Sequence, residues 1–183
     1  MCGLLVAMEL TFDPSKWHSC ENHDWRSCAE AINCYAYVLN RPDYHWAVPG
    51  HRYAKTKTQH YFTSYDANFK NVSQAMFRRQ LIDGAQRDGL VRSAELKTEK
   101  GYYVAALFFE DQGGGLDFHW YRQDDDGTWS HKDGWRAVAN KTVDGRAIYD
   151  PRYISDTNYP IFGGFFLAPR AGVTLERKFP LLP

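Results

Sequence analysis

Asp117-Phe-His-Trp-Tyr-Arg-Gln-Asp-Asp-Asp-Gly-Thr-Trp-Ser-His-Lys132 decides the fold of this chain. Phe118, Trp120, Tyr121 and Trp129 favour strands, and the Asp124-Asp-Asp-Gly127 cluster between them favours a turn. The stretch therefore predicts a β-hairpin, and two loop lengths are open. A three-residue loop over Asp125, Asp126 and Gly127 is a type I turn closed by a left-handed Gly127. It sets Asp124 opposite Thr128, Gln123 opposite Trp129 and Tyr121 opposite His131. His119 and His131 then share a face as diagonal neighbours, about 7–8 Å apart. A four-residue loop sends His131 to the other face and puts Ser130 or Lys132 beside His119. Gly127 at the last loop position favours the shorter loop. Two histidines on one face of a hairpin are commonly solvated imidazoles, so they gain meaning only from a partner elsewhere in the chain.

The flanking sequence predicts more sheet downstream and helices upstream. Tyr102-Tyr-Val-Ala-Ala-Leu-Phe-Phe109 is an apolar run long enough for a central strand. Glu110 to Gly115 is a Gly-rich turn into the hairpin, and Asp144-Gly145 reads as a two-residue hairpin turn. Tyr149-Asp-Pro151 stops the segment that follows. Ile161 to Ala168 is a last strand with a bulge at Gly163-Gly164, ended by Pro169. Upstream, a helical segment over Arg26 to Leu39 ends at Asn40-Arg-Pro42. Its start is ambiguous. Ser27-Cys-Ala-Glu30 is a capping box that starts the helix at Cys28, whereas Asn33 is a cap that starts it at Cys34. A second helix runs from a Ser73 cap to about Asp83, with Met76, Phe77 and Leu81 on its buried stripe and Gly84 and Gly89 around a frayed end. Residues 41–71 form a long connection turning at Pro49-Gly50. Helices followed by antiparallel strands make an α+β pattern in a single domain, with residues 1–24 as an arm and 170–183 as a loosely held tail.

Composition narrows the function. The 183 residues are 44% apolar and 16% aromatic, enough for a sizeable core and a groove. Balanced charge, with 22 basic and 22 acidic residues, lacks the basic footprint of a nucleic-acid binder. No apolar run reaches the ~20 residues of a membrane span. The apolar start has no Lys or Arg before it and no small-residue cleavage site, so it does not read as a signal peptide. Synthesis in the cytoplasm is the expectation. Four cysteines (Cys2, Cys20, Cys28, Cys34) in a chain this long do not suggest a disulfide framework.

Cys34 carries the candidate chemistry. Under an Asn33 cap its sulfur would meet the positive end of a helix, and the Cys34 backbone N–H could serve an oxyanion. His119 would be the base and His131 would fix its tautomer. Asn33, Tyr35, Tyr121 and Ser130 are candidate substrate contacts. If Ser27 starts the helix instead, Cys34 lies inside it and the dipole helps little. A free cysteine is also among the most buried residue types, so a core thiol is the competing reading.

Cys at a helix start, His on a strand and a polar residue twelve positions later on the next strand resemble the NlpC-type papain-like cysteine peptidases. Cys34, His119 and His131 match that order. Asn-Cys-Tyr-Ala-Tyr and Trp-Ser-His-Lys are also similar to stretches shared by an uncharacterised bacterial family. The resemblance covers mainly residues 31–40 and 102–151. It implies a papain-like domain with helices packed on an antiparallel sheet, and a peptidase or amidase acting on bacterial cell-wall peptide without a cofactor. With that substrate, cytoplasmic synthesis without a signal peptide would suit either an antibacterial toxin exported by a dedicated machine into the periplasm of a target cell, with an immunity protein as partner, or a phage lysin. Asn33 and Tyr35 replace the acidic or small residues usual around that nucleophile, so substrate specificity does not carry over.

Other classes stay in view. A thiol–imidazole site could instead deamidate or acylate a protein. His18, Cys20, His23 and Cys28 fall close together, but their spacing matches no standard zinc finger. The aromatic surplus also suits a peptide- or glycan-binding module without catalysis. A carboxylate hydrolase is weaker, since Asp124, Asp125 and Asp126 read as a solvated turn.

Overall fold

A computed structural model describes residues 10–17, 32–44, 47–50, 72–110, 116–134, 136–155, 157–173 and 175. The chain is α+β and rich in sheet. Its helices are α1 (Cys34–Val38) and α2 (Gln74–Arg87). Its strands are β1 (Val91–Ser93), β2 (Tyr102–Phe109), β3 (Phe118–Gln123), β4 (Trp129–Lys132), β5 (Val138–Ala139) and β6 (Ile161–Pro169). They form one antiparallel sheet in the order β1-β6-β2-β3-β4-β5. β2 is apolar along its length because it lies inside the sheet with both faces covered.

Alternation divides the sheet residues between two layers. Leu107, Phe109, Phe118, Trp120 and Phe166 pack with α1, α2, Leu10 and Trp17. Val104, Ala106, Phe108, Tyr121, Trp129 and Phe165 pack on the other face under Ile148, Ile154 and Tyr159. Each large side chain buried in these layers contributes about 1.5–3 kcal/mol relative to exposure.

The hairpin takes the three-residue loop. Asp124 N–H donates to Thr128 O at 2.8 Å, Gly127 N–H donates to Asp124 O at 3.0 Å, and Gly127 has φ 85°. Tyr121 therefore faces His131. Asp124 is not a solvated turn residue, whereas Asp125 is exposed but held by partners on both sides. Arg122 and Asp124 form a buried ion pair at 2.9 Å, and Asp125 accepts from Leu10 N–H at 2.8 Å and from Arg170. Arg122 also donates to the Tyr37 hydroxyl at 2.9 Å, which lies 2.6 Å from Ser130 Oγ. This cluster joins the hairpin to α1.

Several local expectations are corrected. α1 begins at Cys34 under Asn33, whose Oδ1 accepts from Ala36 N–H at 3.1 Å. Residues 32–33 are not helical, and the Ser27 alternative lies outside the described residues. α2 runs through Gly84 to Arg87, because Gly84 is where Pro49 and Gly50 press on the helix. Met76 is 53% exposed, so the buried stripe is Phe77, Leu81, Gly84 and Ala85. The Asp144-Gly145 turn is another three-residue loop, with Thr142 N–H bonded to Arg146 O and Gly145 at φ 86°. Residues 170–175 are not a loose tail where described: Arg170 reaches Asp125, and Val173 and Leu175 are buried. The Gly163 bulge holds, with the β2–β6 register shifting between Leu107 and Phe108, because a Cβ on Gly163 would sit 2.5 Å from the Phe109 ring.

Two stability outcomes follow. Asp124→Ala leaves the Arg122 charge buried and unpaired and should cost about 3–5 kcal/mol in urea unfolding, against about 1 kcal/mol or less for exposed Asp126→Ala. Similar losses for the two would remove the ion pair from its structural role. Gly84→Ala would normally favour a helix by about 1 kcal/mol, yet the new Cβ would lie 2.4 Å from Pro49 O. A net loss of about 1–3 kcal/mol is expected in the same assay.

Candidate active site

The register places His119 and His131 on one face, and their rings meet. His119 Nε2 lies 2.8 Å from His131 Nδ1. One nitrogen must donate and the other accept, so the contact needs at least one neutral ring. Burial pushes His119 well below its usual value, and His131 adds to this. Burial also pushes His131 down, to about 4, while Asp133 opposes the shift. The pair is therefore neutral at pH 7. Tyr159 stacks on His119 with centroids 5.0 Å apart, and its hydroxyl donates to Asp117 Oδ2 at 2.9 Å. Tyr121 meets His119 edge-to-face with centroids 4.9 Å apart and His131 at a 36° tilt with centroids 4.8 Å apart. These residues open onto a cavity of about 530 Å³ that Asp133, Arg136 and Lys141 also line.

Cys34 approaches from the other side of the sheet. Asn33 fixes it twice, capping α1 and gripping Ala47 through a 2.7 Å bond from Nδ2 to the Ala47 carbonyl and a 3.2 Å bond from Ala47 N–H. Phe118 and Trp120 pack on the α1 side, whereas His119 and Tyr121 face away from it. Because Asp124 directs its N–H to β4, Phe118 O and Trp120 N–H point the same way. β4 ends at Lys132, and there the Cys34 thiol donates to Phe118 O at 3.9 Å. Burial pushes the thiol pKa up, and Asp117 and Asp133 add to it; the Trp120 and Tyr35 N–H groups act in the opposite sense. The resting thiol is thus protonated. No hydrogen bond joins Cys34 to His119 among the described residues. Tyr159, a wall of the cavity, is near enough that an ionised Cys34 would raise its phenol pKa.

The remaining candidates separate. Tyr121 lines the cavity. Tyr35 is fully buried against Trp120 and donates to Asp88 Oδ2 at 2.8 Å. Ser130 is fully buried at the Tyr37 hydroxyl. Asn33, Tyr35 and Ser130 therefore spend their side chains on the fold and not on the cavity. Tyr159 and Asp133 were not expected. Only position could have suggested Asp133, which falls opposite His119 when the hairpin register is extended by two pairs. His18, Cys20, His23 and Cys28 lie outside the described residues, and no metal-binding cluster occurs among those described. No described helix is long and apolar enough to cross a membrane.

No family model matches the chain, and no solved structure matches it. Insoluble matrix shell protein 1 of Ruditapes philippinarum is 31% identical over 142 residues, which span 77% of this chain and 82% of that protein.

The histidine pair has a pH signature. A histidine whose folded pKa lies below its unfolded value contributes stability above the unfolded value, near 6.5, and loses it as pH falls towards the folded one. For His131 that window is pH 6.5 to about 4, and the loss is at most about 3 kcal/mol, less for partial exposure. Half-buried acids such as Asp88, raised to about 6 by burial, titrate in the same range with opposite sign. The comparison is therefore between wild type and His131→Asn. Their difference in unfolding free energy should shrink from pH 7 to pH 4; a constant difference would show that His131 is not held neutral.

Proposed function

The chain belongs to the family of insoluble matrix shell protein 1, and within that family we propose that it is a cysteine hydrolase cleaving amide or peptide bonds through Cys34, His119 and His131. The observation that carries this reading is the 2.8 Å His119–His131 contact on the wall of a cavity, with Cys34 at the start of α1 bonded to Phe118 O, one residue before His119 on β3. A neutral, buried imidazole can accept a proton near pH 7, and a second imidazole bonded to its distal nitrogen fixes the orientation of the ring. The helix-start thiol with base and orienter on a hairpin follows the NlpC-type papain-like order.

In this reading the thiol leaves Phe118 O when substrate enters and passes its proton to His119. The sulfur then attacks the carbonyl carbon. The amine leaves with the proton from His119, and water, deprotonated by the same ring, releases the acid and restores the thiol. Peptide is the substrate class. Bacterial cell-wall peptide rests on the resemblance; export as a toxin with an immunity partner, acting in a target periplasm, goes with that substrate and with the expected cytoplasmic synthesis.

A second reading is a non-catalytic matrix-associated module. Two observations favour it: the relative's name, and a thiol that is buried, protonated and bonded to a carbonyl. Peptidoglycan and a mixed peptide library, followed by mass spectrometry of released fragments and of any acyl-enzyme, separate the two. Cys34→Ala should abolish cleavage while thermal unfolding stays within a few degrees of wild type. His131→Asn should retain more activity than His131→Ala, and both more than His119→Ala. A Cys34→Ala protein as active as wild type, or a native chain in which iodoacetamide labels Cys34 no faster than Cys2, Cys20 or Cys28, would leave the module reading.

A further inference from the structure

Lys132 is an anomaly that the catalytic reading does not use. It is fully buried. Its Nζ donates to Gly134 O and Arg136 O, each at 2.8 Å. An ammonium has three donors, and a buried charge is costly unless paired. No carboxylate bridges to it among the described residues. Its side chain lies on the α1 face of β4, since His131 occupies the opposite face and neighbours in a strand alternate. This is the side from which Cys34 approaches, at the point where β4 ends.

We propose that Lys132 is a positioning residue for Cys34: its ammonium, through the N–H left by the two carbonyls, stabilises the thiolate that the catalytic reading requires. The inference rests on Cys34 being the nucleophile. His119 takes the thiol proton and Lys132 keeps its own, so the thiol–imidazole pair becomes thiolate and imidazolium beside a fixed cation. Burial pushes Lys132 down to about 8, and Cys34 foremost, then Asp133, act to hold its charge. Asp117 and Asp133 oppose the thiolate, and Tyr159 stands in its field without supplying a charge at neutral pH. Arg136 meets Asp133 at 3.6 Å with both side chains exposed, whereas Lys132 is a fully buried cation on the α1 side.

Alkylation rates test the charge without a substrate. The intact protein is treated in parallel with iodoacetate, an anion, and iodoacetamide, which is neutral, and Cys34 modification is followed by mass spectrometry with glutathione as reference. A cation beside the sulfur should raise the iodoacetate-to-iodoacetamide ratio roughly three- to tenfold over that of glutathione. Lys132→Met should return the ratio to the glutathione value and shift the pH profile of alkylation upward, whereas Lys132→Arg should keep both. A wild-type ratio equal to that of glutathione overturns the inference even if Lys132→Met does not fold. An unchanged ratio in folded Lys132→Met also overturns it. Slower alkylation in His119→Ala together with no effect in Lys132→Met would spare the catalytic dyad and remove Lys132 alone. A Cys34 that resists both reagents overturns the two together.

Discussion

The guanidinium of Arg122 is buried, and everything around it is arranged to meet that cost. Asp124 supplies the opposite charge, the Tyr37 hydroxyl takes another N–H, and Thr11 O takes a third contact at 3.4 Å. The Tyr37 ring lies under the cation with 4.2 Å to its centroid. An isolated buried charge is not tolerable, so these partners must arrive together. They come from the N-terminal arm, α1, β3 and the hairpin loop. The ion pair thus fixes the depth of α1 on the sheet. It also sets how close Cys34, at the start of that helix, comes to β3.

Much of the sheet was legible because its signals are local. Gly127 closes the hairpin loop, and its position decided the register that pairs Tyr121 with His131. The apolar run of β2 and the paired glycines of β6 were equally plain. β1 and β5 escaped notice because three or two residues show no period. Gly84 misled because its reason is tertiary: a helix position can demand glycine when another backbone lies against it. Asp124 misled for a similar reason. A turn aspartate is ordinarily solvated, and only the fold reveals that Arg122 points the same way.

The site divides along the same line. Residue spacing within the hairpin was enough to bring His119 and His131 together. The step from that hairpin to Cys34 spans the whole fold, and spacing does not say which face of β3 meets α1. The sulfur and the imidazoles stand on opposite sides of one strand, near the point where β4 ends beside β3. Lys132 and Asp133 at that point were invisible as chemistry, because Trp-Ser-His-Lys and the residue after it read as an ordinary strand end.

α1 has five residues, all buried. A helix so short does not form in isolation, since nucleation outweighs the few bonds it makes. Its contacts on the sheet come from β3 and β4, far along the chain, the Phe118 carbonyl lying 84 residues from Cys34. Such separations slow folding because the closure entropy is met before the contacts reward it. The environment of Cys34 is therefore a late event in folding. Until α1 docks on β3 and β4, the thiol is an ordinary solvated cysteine, open to oxidants and to exchange, and that docking shelters it.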